Sequence, residues 1–281
     1  MAWHRGVILK GEGELASMQE AGRVNALALV AAVNVIRPGV TTADIDAAAS
    51  EVLRLHGAGS AFKGYPGPYP YPAATCVSLN QELVHGIPGA RRLKEGDIVS
   101  IDCGAVVDGF VGDSALTVGV GEVSPEAQRL IDVTFAALVV GITAMRLGNR
   151  TGDVGAAIQG YVERHGFSVV REYTGHGVGR AMHEDPQVPN YGKAGTGLPL
   201  KVGMTIALEP MVLVGKPETR VLKDRWAVAS ADGKLTAHYE HTVAVTADGP
   251  RILTALPGNL DGGLATRYND YFVGRLQPVD D

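Results

Sequence analysis

The sequence predicts one α/β domain, in which two similar halves share a single sheet. Residues 42–57 recur without a gap as residues 151–166, from a threonine to a His-Gly pair. A longer helical stretch precedes each copy, and apolar, β-rich segments follow it. A two-residue turn signal, Asp108-Gly109, predicts a hairpin in the first half. These three observations indicate a duplicated architecture, in which a site commonly lies where the halves meet.

The limits of the domain follow from this repeat. We place the two halves at about residues 14–120 and 121–253, inside one domain of residues 1–256. From Pro257 the sequence becomes rich in Gly, Asn, Asp and Tyr. Residues 257–281 are therefore predicted to form a C-terminal surface tail.

The helices of the two halves carry matching start and stop signals. Long helices are predicted over residues 14–36 and 125–145. Thr42 and Thr151 are the predicted N-caps of the shorter second helices, and each has an aspartate in the first turn, where the helix dipole favours negative charge. Gly57 and Gly166 are the predicted C-terminal stops. Strands are predicted over residues 74–79, 98–107, 110–118, 168–171, 205–214, 226–230 and 242–245.

Composition excludes several classes of protein. The chain has 281 residues, 46% of them hydrophobic, and a formal net charge of −5 without a long basic block, so we expect no direct contact with nucleic acid. No stretch approaches the ~18 apolar residues of a membrane span, and the N-terminus lacks the features of a signal peptide. Only two cysteines occur, Cys76 and Cys103, which argues against a secreted disulfide scaffold. The cytoplasm is the expected location.

Five acidic and histidine residues, spread over more than half of the chain, stand in contexts suited to holding metal. They are Asp102, Asp113, His176, Glu209 and Glu240. Four carboxylates and one imidazole are too many ligands for a single tetrahedral zinc ion. Oxygen-rich sets suit harder divalent ions, and bridging carboxylates suit a pair of them. The pattern therefore predicts a two-metal site that activates water, which makes the protein a hydrolase.

The predicted hairpin allows a check on whether these ligands converge. A two-residue turn pairs Val107 with Phe110. Gly104 then falls opposite Asp113, and Asp102 lies diagonal to Asp113 at roughly 7–8 Å. Two carboxylates at that spacing can reach inward and share metals at ~2.0–2.6 Å. The hairpin is therefore expected to carry two of the ligands on one face.

The other ligands are placed by their neighbours in sequence. His176 is predicted in a glycine-flanked loop, where the backbone can approach closely. Asp102 and Glu209 lie in apolar stretches, where an unpaired carboxylate is costly. They demand a cation or a shifted pKa. A distant lysine or arginine that folds against them is the alternative to metal.

Four motifs surround the predicted ligands. They are Val-His-Gly-Ile-Pro at residues 84–88, Gly-His-Gly-Val-Gly at 175–179 with His-Glu-Asp-Pro at 183–186, Glu-Pro-Met at 209–211, and Tyr-Glu-His-Thr at 239–242. They resemble those of the type I methionine aminopeptidases, in the bacterial form without an N-terminal zinc-finger extension. The resemblance covers about residues 14–253. It implies an α+β pita-bread fold, with two pseudo-symmetric halves around a curved, mainly antiparallel sheet.

The resemblance also implies an activity, that of a metalloaminopeptidase. Such an enzyme removes the initiator methionine from nascent proteins with a small second residue, by attack of metal-activated water on the first peptide bond. The implied cofactors are two divalent ions, with cobalt, manganese, iron and zinc all compatible. The five predicted ligands would hold them, with Asp113 and Glu240 bridging both ions. Glu209 would also move protons.

By the same resemblance, two histidines outside the ligand set take part in catalysis. His85 would contact the region of the leaving nitrogen, and His183 would polarise the carbonyl or stabilise the oxyanion. The residues implied in substrate binding are His85, His183, Phe62, Tyr65, Cys76, Met182 and Trp226. An apolar pocket with aromatic and sulfur contacts suits a thioether. This region departs from the family in two ways. The segment of residues 65–72 is longer and richer in proline than usual, so Tyr69 is an alternative to Tyr65. Phe62 replaces a smaller side chain.

The implied partners are the N-terminal peptides of nascent proteins. We expect no membrane contact and a monomer, and a transient contact with the ribosome stays open. Two rival functions are considered. A proline-directed aminopeptidase of the same fold is the first, although such relatives usually carry a sizeable N-terminal domain, for which the short segment before the first helix leaves no room. A non-catalytic pita-bread protein that binds a partner is the second, although such proteins lose metal ligands.

Overall fold

The protein's structure, a computed structural model, describes residues 4–255, so the predicted tail at 257–281 lies outside the described part. Within residues 4–255 the helices are α1 (Glu12–Asn34), α2 (Thr42–Leu55), α3 (Pro125–Ala144) and α4 (Thr151–Arg164). The first strands are β1 (His4–Val7), β2 (Gly59–Ser60), β3 (Thr75–Leu79), β4 (Glu82–Val84), β5 (Ile98–Val107) and β6 (Phe110–Gly119). After α4 come β7 (Ser168–Val169), β8 (Thr174–Gly177), β9 (Glu184–Pro189), β10 (Thr205–Leu208), β11 (Met211–Leu213), β12 (Thr219–Val221), β13 (Val228–Ser230), β14 (Thr236–His238), β15 (Glu240–Thr246) and β16 (Gly249–Ile252). The single domain of residues 1–256 stays a prediction.

A ten-stranded sheet forms the centre of the molecule. Its main path runs β1-β9-β8-β10-β15-β6-β5-β2, with β16 paired to β15 and β3 paired to β5. Every pairing in it is antiparallel except that of β1 with β9. Two three-stranded sheets, β14-β11-β7 and β12-β13-β4, complete the β-structure of the described residues. The mainly antiparallel sheet predicted from the sequence is confirmed.

The second helix of each half begins one residue earlier than predicted, because the N-cap is Thr41 in α2 and Arg150 in α4. The Thr41 hydroxyl accepts the N–H of Asp44, and the Asp44 carboxylate accepts the N–H of Thr41. In α4 the carboxylate of Asp153 accepts the N–H of Arg150 in the same way. The predicted acidic residues therefore do complete the caps, since a carboxylate in the first turn satisfies an unpaired N–H group.

The two threonines that were wrongly predicted as caps have another role. The Thr42 hydroxyl accepts the N–H of Gly89, and the Thr151 hydroxyl accepts the N–H of Leu198. Each threonine thus ties its helix to a loop that lies 47 residues further along the chain. The equivalence of the two halves extends beyond the helices to the loops they hold.

The predicted helix stops are confirmed. Gly57 and Gly166 have φ angles of +63° and +81°, a conformation that glycine adopts without steric cost. The residue after each glycine donates its N–H back into the last helical turn, from Ala58 to Leu53 and from Phe167 to Val162. These bonds satisfy carbonyl groups that a helix end otherwise leaves unpaired.

Among the described residues one helix, α3, is long and apolar enough to cross a membrane by length and composition alone. The helix has 20 residues, and the mean hydropathy of an 18-residue window in it is 1.4. However, 56% of that window is buried inside the protein. Its buried side chains include Leu130, Phe135 and Leu138, which belong to the main hydrophobic core. One such helix is weak evidence for a membrane span, because the core helix of a globular protein has the same composition.

Helix α1 packs in backbone contact with the hairpin of β5 and β6. A Cβ atom added to Gly112 on β6 would lie 2.4 Å from the backbone nitrogen of Gly22 on α1. Beside this contact the buried Asn25 amide donates to the carbonyl oxygens of Cys103 and Gly112, and its oxygen accepts from the Ser114 hydroxyl. One helical side chain thereby fixes both strands of the hairpin.

We expect Asn25→Ala to lower the free energy of unfolding by about 2–4 kcal/mol, because it leaves buried carbonyl and hydroxyl groups without partners. Urea unfolding followed by circular dichroism measures the change. Asn34→Ala, at the exposed end of the same helix, is the matched control and should change stability by less than about 1 kcal/mol. Equal losses in the two variants would show that the Asn25 amide does not hold the hairpin.

Candidate metal centre and active site

The hairpin that carries two predicted ligands has the predicted register. Val107 pairs with Phe110, and Gly104 pairs with Asp113. Asp108 and Gly109 have φ angles of +50° and +75°, as a two-residue hairpin turn requires. Asp102 pairs with Ala115, two residues from Asp113, so Asp102 and Asp113 lie diagonally on one face of the sheet.

Strand β15 brings a third carboxylate to that face. Glu240 pairs with Ala115 from the side opposite to Asp102. Residues that are directly paired in a sheet point to the same face, and so do residues two apart in one strand. The register of three adjacent strands therefore gathers Asp102, Asp113 and Glu240 around Ala115. No loop is needed to bring them together.

The predicted loop around His176 is wrong, because this residue lies in strand β8. His176 pairs with Ala207 of β10. The flanking glycines serve close packing between strands: a Cβ at Gly175 would lie 2.7 Å from the carbonyl oxygen of Ala207, and one at Gly177 would lie 2.3 Å from that of Asp185. Glycine at these positions lets the strands approach, and a rigid strand then holds the imidazole.

Glu209 lies at a break in the segment predicted as one strand over residues 205–214. The segment forms β10 in the large sheet and β11 in a small one, with Glu209 and Pro210 between them. Proline has no N–H to donate to a strand ladder, so the pairing cannot continue through this point. Glu209 therefore lies just after the C-terminal end of β10, an interior strand of the large sheet, and its carboxylate is beside His176.

The five predicted ligands meet in one place. His176 Nε2 lies 3.5 Å from Glu209 Oε1 and 3.9 Å from Asp113 Oδ2. One ligand atom each from Asp113, His176 and Glu240 can be chosen so that all three lie within 4.8 Å of one another. These three residues are almost fully buried, with 1%, 4% and 2% of their surfaces exposed.

The carboxylates are held in an environment that disfavours their charge. Burial, and then the neighbouring Asp113, raises the pKa of Asp102. Burial raises the pKa of Asp113 to about 7. The pKa values of Glu209 and Glu240 are also raised, first by burial and then by Asp113. The charged site is therefore unstable without a cation.

The structure tests the two sources of such a cation. Among the ion pairs of residues 4–255, none joins Asp102, Asp113, Glu209 or Glu240 to a lysine or arginine. One oxygen in each of Asp102, Asp113 and Glu240 is buried without a hydrogen-bond partner. Buried oxygens that converge without donors are the donor set of a hard divalent ion. These residues fit a metal, and the alternative of a distant basic side chain is wrong within the described residues.

His176 has a neutral ring with one nitrogen close to the carboxylates. Burial lowers its pKa to about 4. Its Nδ1 lies 2.9 Å from the carbonyl oxygen of Gly177, which can only accept a hydrogen bond. In the neutral ring the proton is therefore on Nδ1, and the Nε2 lone pair faces the carboxylates. A backbone carbonyl that fixes the tautomer in this way is common around metal-binding histidines.

All of the predicted metal, catalytic and pocket residues line one cavity. The lining residues are Phe62, Tyr65, Tyr71, Cys76, His85, Asp102, Asp113, His176, Met182, His183, Glu209, Trp226 and Glu240. Its apolar part is a separate hydrophobic cluster of Phe62, Tyr71, Ala73 and Cys76, with Tyr65, Met182 and Trp226 packed against it. The cavity thus joins an acidic centre to an apolar recess.

The tyrosine-rich segment lines this recess differently from what its sequence predicts. Tyr65 lines the cavity, whereas Tyr69 is 38% exposed and donates its hydroxyl to the carbonyl oxygen of Asp224. Tyr71, which the sequence analysis missed, is buried and donates to the carbonyl oxygen of Gly86. Because three tyrosines alternate with prolines in a few residues, the sequence contains no signal that separates them.

Phe62 fits into the recess because of the glycine beneath it. A Cβ atom at Gly104 would lie 3.0 Å from the ring of Phe62 and 2.8 Å from the Cβ of Ala61. Gly104 is also the residue paired with Asp113. The hairpin therefore makes room for a large aromatic ring directly beside a ligand.

The two predicted catalytic histidines both line the cavity. The His85 ring meets the rings of Tyr173 and Trp226 edge to face, with centroid distances of 6.1 and 6.4 Å, and burial lowers its pKa to about 4. The His183 ring lies 4.3 Å from that of His176, and burial lowers its pKa to about 3. Both rings are consequently neutral near pH 7 and can each donate one hydrogen bond.

The turn that carries His183 is held by a buried ion pair. Glu184 accepts the backbone N–H groups of Arg180 and Ala181 with one carboxylate oxygen. Its other oxygen lies 2.5 Å from Nζ of Lys10, and both side chains are almost fully buried. Removing one partner of such a pair leaves a buried charge, so the turn depends on both.

His238 is a second residue of the site that the sequence analysis missed. It is 1% exposed, and its Nε2 lies 3.7 Å from Glu209 Oε2 and 3.8 Å from Glu240 Oε2. Burial lowers its pKa to about 3. The signal was its spacing, because a residue two positions before Glu240 in an extended segment points to the same side.

Comparison with known proteins identifies the family. A family model described as metallopeptidase family M24 matches residues 16–247. The methionine aminopeptidase of Clostridium perfringens is 48% identical over 250 residues, which cover 89% of this chain and 99% of that protein. The crystal structure of methionine aminopeptidase from Thermotoga maritima is similar with a TM-score of 0.86 at 46% identity, covering 89% of this chain and 99% of that one. The chain belongs to metallopeptidase family M24 and has its pita-bread fold.

More distant relatives share the architecture alone. The prolidase from Pyrococcus furiosus is similar with a TM-score of 0.71 at 22% identity, covering 89% of this chain and 66% of that chain. Identity at this level shows a common fold and says nothing about the substrate. The prolidase therefore supports the predicted architecture without supporting the proline-directed rival.

We expect the affinity for Mn²⁺ to rise by about tenfold or more between pH 6 and pH 8, since the pKa values of the other three carboxyl groups are raised as well. A proton on Asp113 competes with the ion, and the pKa of this carboxyl in the metal-free protein is about 7, so the proton is bound at pH 6 and lost at pH 8. The histidine ligand adds nothing in this range because its pKa is about 4. Counting free Mn²⁺ by electron paramagnetic resonance gives the affinity at each pH, and equal affinities would contradict the raised pKa.

Proposed function

We propose that this protein is a metal-dependent methionine aminopeptidase, which removes the N-terminal methionine from nascent proteins whose second residue is small. The observation that carries the proposal is the cavity, in which an acidic centre without basic partners adjoins an apolar, sulfur-containing recess. A centre of that kind suits hydrolysis, and the recess suits an unbranched thioether. This chain aligns with nearly the whole length of several relatives, and these relatives are named methionine aminopeptidases.

Asp102, Asp113, His176, Glu209 and Glu240 are the residues that would hold two divalent ions. Ions at this position supply a nucleophile near neutral pH, since bound divalent metals lower the pKa of water. A pair of ions is supported by the ratio of four carboxylates to one imidazole, which offers more oxygens than one ion needs. Cobalt, manganese, iron and zinc all suit such a set, and the supply in the cell selects among them.

The side chains around the centre have separate tasks in this proposal. Glu209 has a raised pKa and stands at the edge of the acidic centre, so it can accept a proton from water and release it to the leaving amine. His183 donates a hydrogen bond to the carbonyl oxygen of the scissile bond, where negative charge develops. His85, which also lines the cavity, donates to the nitrogen region of that bond.

The recess determines which N-terminal residue is accepted. Phe62, Tyr71 and Cys76 form its buried wall, and Met182 and Trp226 pack against that wall. A flexible thioether fills an irregular apolar space of this kind and contacts aromatic edges favourably. A charged side chain would lose its water without gaining a partner, because the wall offers no counter-charge.

The cellular setting belongs to the same proposal. An enzyme that acts on nascent chains works in the cytoplasm, where those chains emerge, and a transient contact with the ribosome is consistent with that role. The net charge of −5 gives no general attraction to RNA, so any such contact would rest on protein surfaces. We propose that the protein is a monomer.

A peptide panel tests the function. We expect cleavage of Met-Ala peptides, little cleavage of Met-Trp peptides and no cleavage of Xaa-Pro peptides, with activity lost to a chelator and restored by Mn²⁺ or Co²⁺. Mass spectrometry of the products identifies the bond that is cut. Preferential cleavage of Xaa-Pro would support the proline-directed rival, and activity that a chelator leaves unchanged would exclude a metal-dependent enzyme.

We expect Glu240→Gln to lower kcat/KM by about 10²-fold or more, because even neighbours of metal ligands contribute about 10–100-fold. Glutamine keeps the volume, so the fold should remain, and elemental analysis should find less metal per chain. The matched control is Glu51→Gln, whose carboxylate forms an exposed ion pair with Arg54 on α2. Near-normal turnover of Glu240→Gln would refute its assigned role.

A further inference from the structure

One hydrogen bond joins the tyrosine-rich segment to a proposed catalytic histidine. The Tyr65 hydroxyl lies 2.6 Å from Nδ1 of His183, and the two rings meet edge to face with centroids 5.4 Å apart. Tyr65 lies at the rim of the apolar recess, whereas His183 lies beside the metal ligand His176. The bond therefore connects the part of the cavity that would hold the methionine side chain to the part that would act on the peptide bond.

The direction of this hydrogen bond decides where the imidazole proton lies. Among residues 4–255, His183 Nδ1 is the hydrogen-bond partner of the Tyr65 hydroxyl. If the phenol donates, its proton is satisfied, and the neutral ring carries its own proton on Nε2. If Nδ1 donates instead, the half-buried phenol proton loses its partner, which costs free energy. Donation by the phenol is therefore favoured.

The backbone around Tyr65 holds its ring in position. Its N–H donates to the carbonyl oxygen of Phe62, and its carbonyl oxygen accepts from the N–H of Tyr71. At the tip of the same segment, Tyr69 bonds to the carbonyl oxygen of Asp224, and the Trp226 indole N–H donates to the carbonyl oxygen of Tyr69. The tyrosine- and proline-rich segment is thus tied down at both ends, so the phenol can act as a fixed donor.

We propose that Tyr65 is a positioning residue, which fixes His183 in the tautomer with the proton on Nε2 and so makes this ring a hydrogen-bond donor to the substrate carbonyl. The tautomer follows from the contact between the two side chains, whereas its use on a substrate rests on the proposed function. The opposite tautomer would present an acceptor, which repels a developing oxyanion. The same segment that lines the methionine recess thereby prepares the neighbouring catalytic group.

The tautomer can be measured directly. In zinc-loaded protein with ¹⁵N-labelled histidine at pH 8, a long-range ¹H–¹⁵N spectrum distinguishes the two neutral forms, and the His183→Asn variant identifies the His183 signals. We expect the Nε2–H form in the wild type and a mixture of forms in Tyr65→Phe. We expect kcat on a Met-Ala peptide to fall about tenfold in this variant, the loss of one hydrogen bond, with KM little changed because phenylalanine keeps the ring.

Two controls separate this effect from a general loosening of the protein. Tyr161→Phe removes a phenol on α4, far from the cavity, and should leave both kcat and the tautomer unchanged. Tyr69→Phe removes the hydroxyl that anchors the same segment, and should leave the tautomer unchanged if the contact with His183 alone sets it.

The outcomes are distinct. A wild-type His183 with its proton on Nδ1 would overturn the inference, and so would an unchanged tautomer in Tyr65→Phe. A wild type that has the expected tautomer but cleaves no Met-Ala peptide would refute the proposed function, while leaving the control of His183 by Tyr65 supported.

Discussion

Four carboxylates gathered in one cavity are the constraint on which the structure depends. Asp102, Asp113, Glu209 and Glu240 share one small space, and no lysine or arginine in the described part of the chain forms an ion pair with any of them. Burial raises the pKa of each of these carboxyl groups, and the neighbouring charge of Asp113 raises the pKa of the other three further. Such a cluster is stable in its charged form only around a cation, so the stability of this part of the fold is coupled to cation binding.

The scaffold resists this repulsion with ordinary interactions placed close to it. Asn25 and the backbone contact of Gly22 with Gly112 hold the hairpin that carries Asp102 and Asp113. On the other side, the buried pair of Lys10 and Glu184 closes the turn before β9. Both supports come from the first part of the chain, so the N-terminal segment and α1 hold the two sides of the site. A site that must keep like charges together needs rigid neighbours.

The apolar recess and the acidic centre are adjacent, but different physical factors determine their shapes. Side-chain volume determines the shape of the recess, because the missing side chain of Gly104 leaves room for the Phe62 ring. The acidic centre is shaped by strand register, which sets the spacing of the carboxylates. Tyr65 belongs to the first and contacts His183 at the border of the second. Under the proposed function, Tyr65 is the residue that links selection of the N-terminal side chain to the orientation of His183.

The sequence determined those features that local chemistry controls. The Asp-Gly turn established the register that puts Asp102 diagonal to Asp113, because a two-residue loop permits one pairing. The helix stops at Gly57 and Gly166 followed from conformations that other residues rarely adopt. The candidate ligands were selected by residue type and by their short sequence contexts. The turn and the helix stops depend on neighbours along the chain, so they needed no knowledge of the fold.

The tertiary structure decided what depends on partners distant in sequence. His176 was expected in a loop but lies in β8, which pairs with β9 and β10. The glycines on either side of His176 allow the backbones of these strands to approach. His238 and Tyr71 joined the site unpredicted, since burial arises only when the sheets pack. Thr42 and Thr151 are not N-caps; their hydroxyl groups accept hydrogen bonds from loops 47 residues further along the chain. Side-chain partners that are far apart along the chain are brought together by the packing of the whole molecule, and the local sequence does not encode this packing.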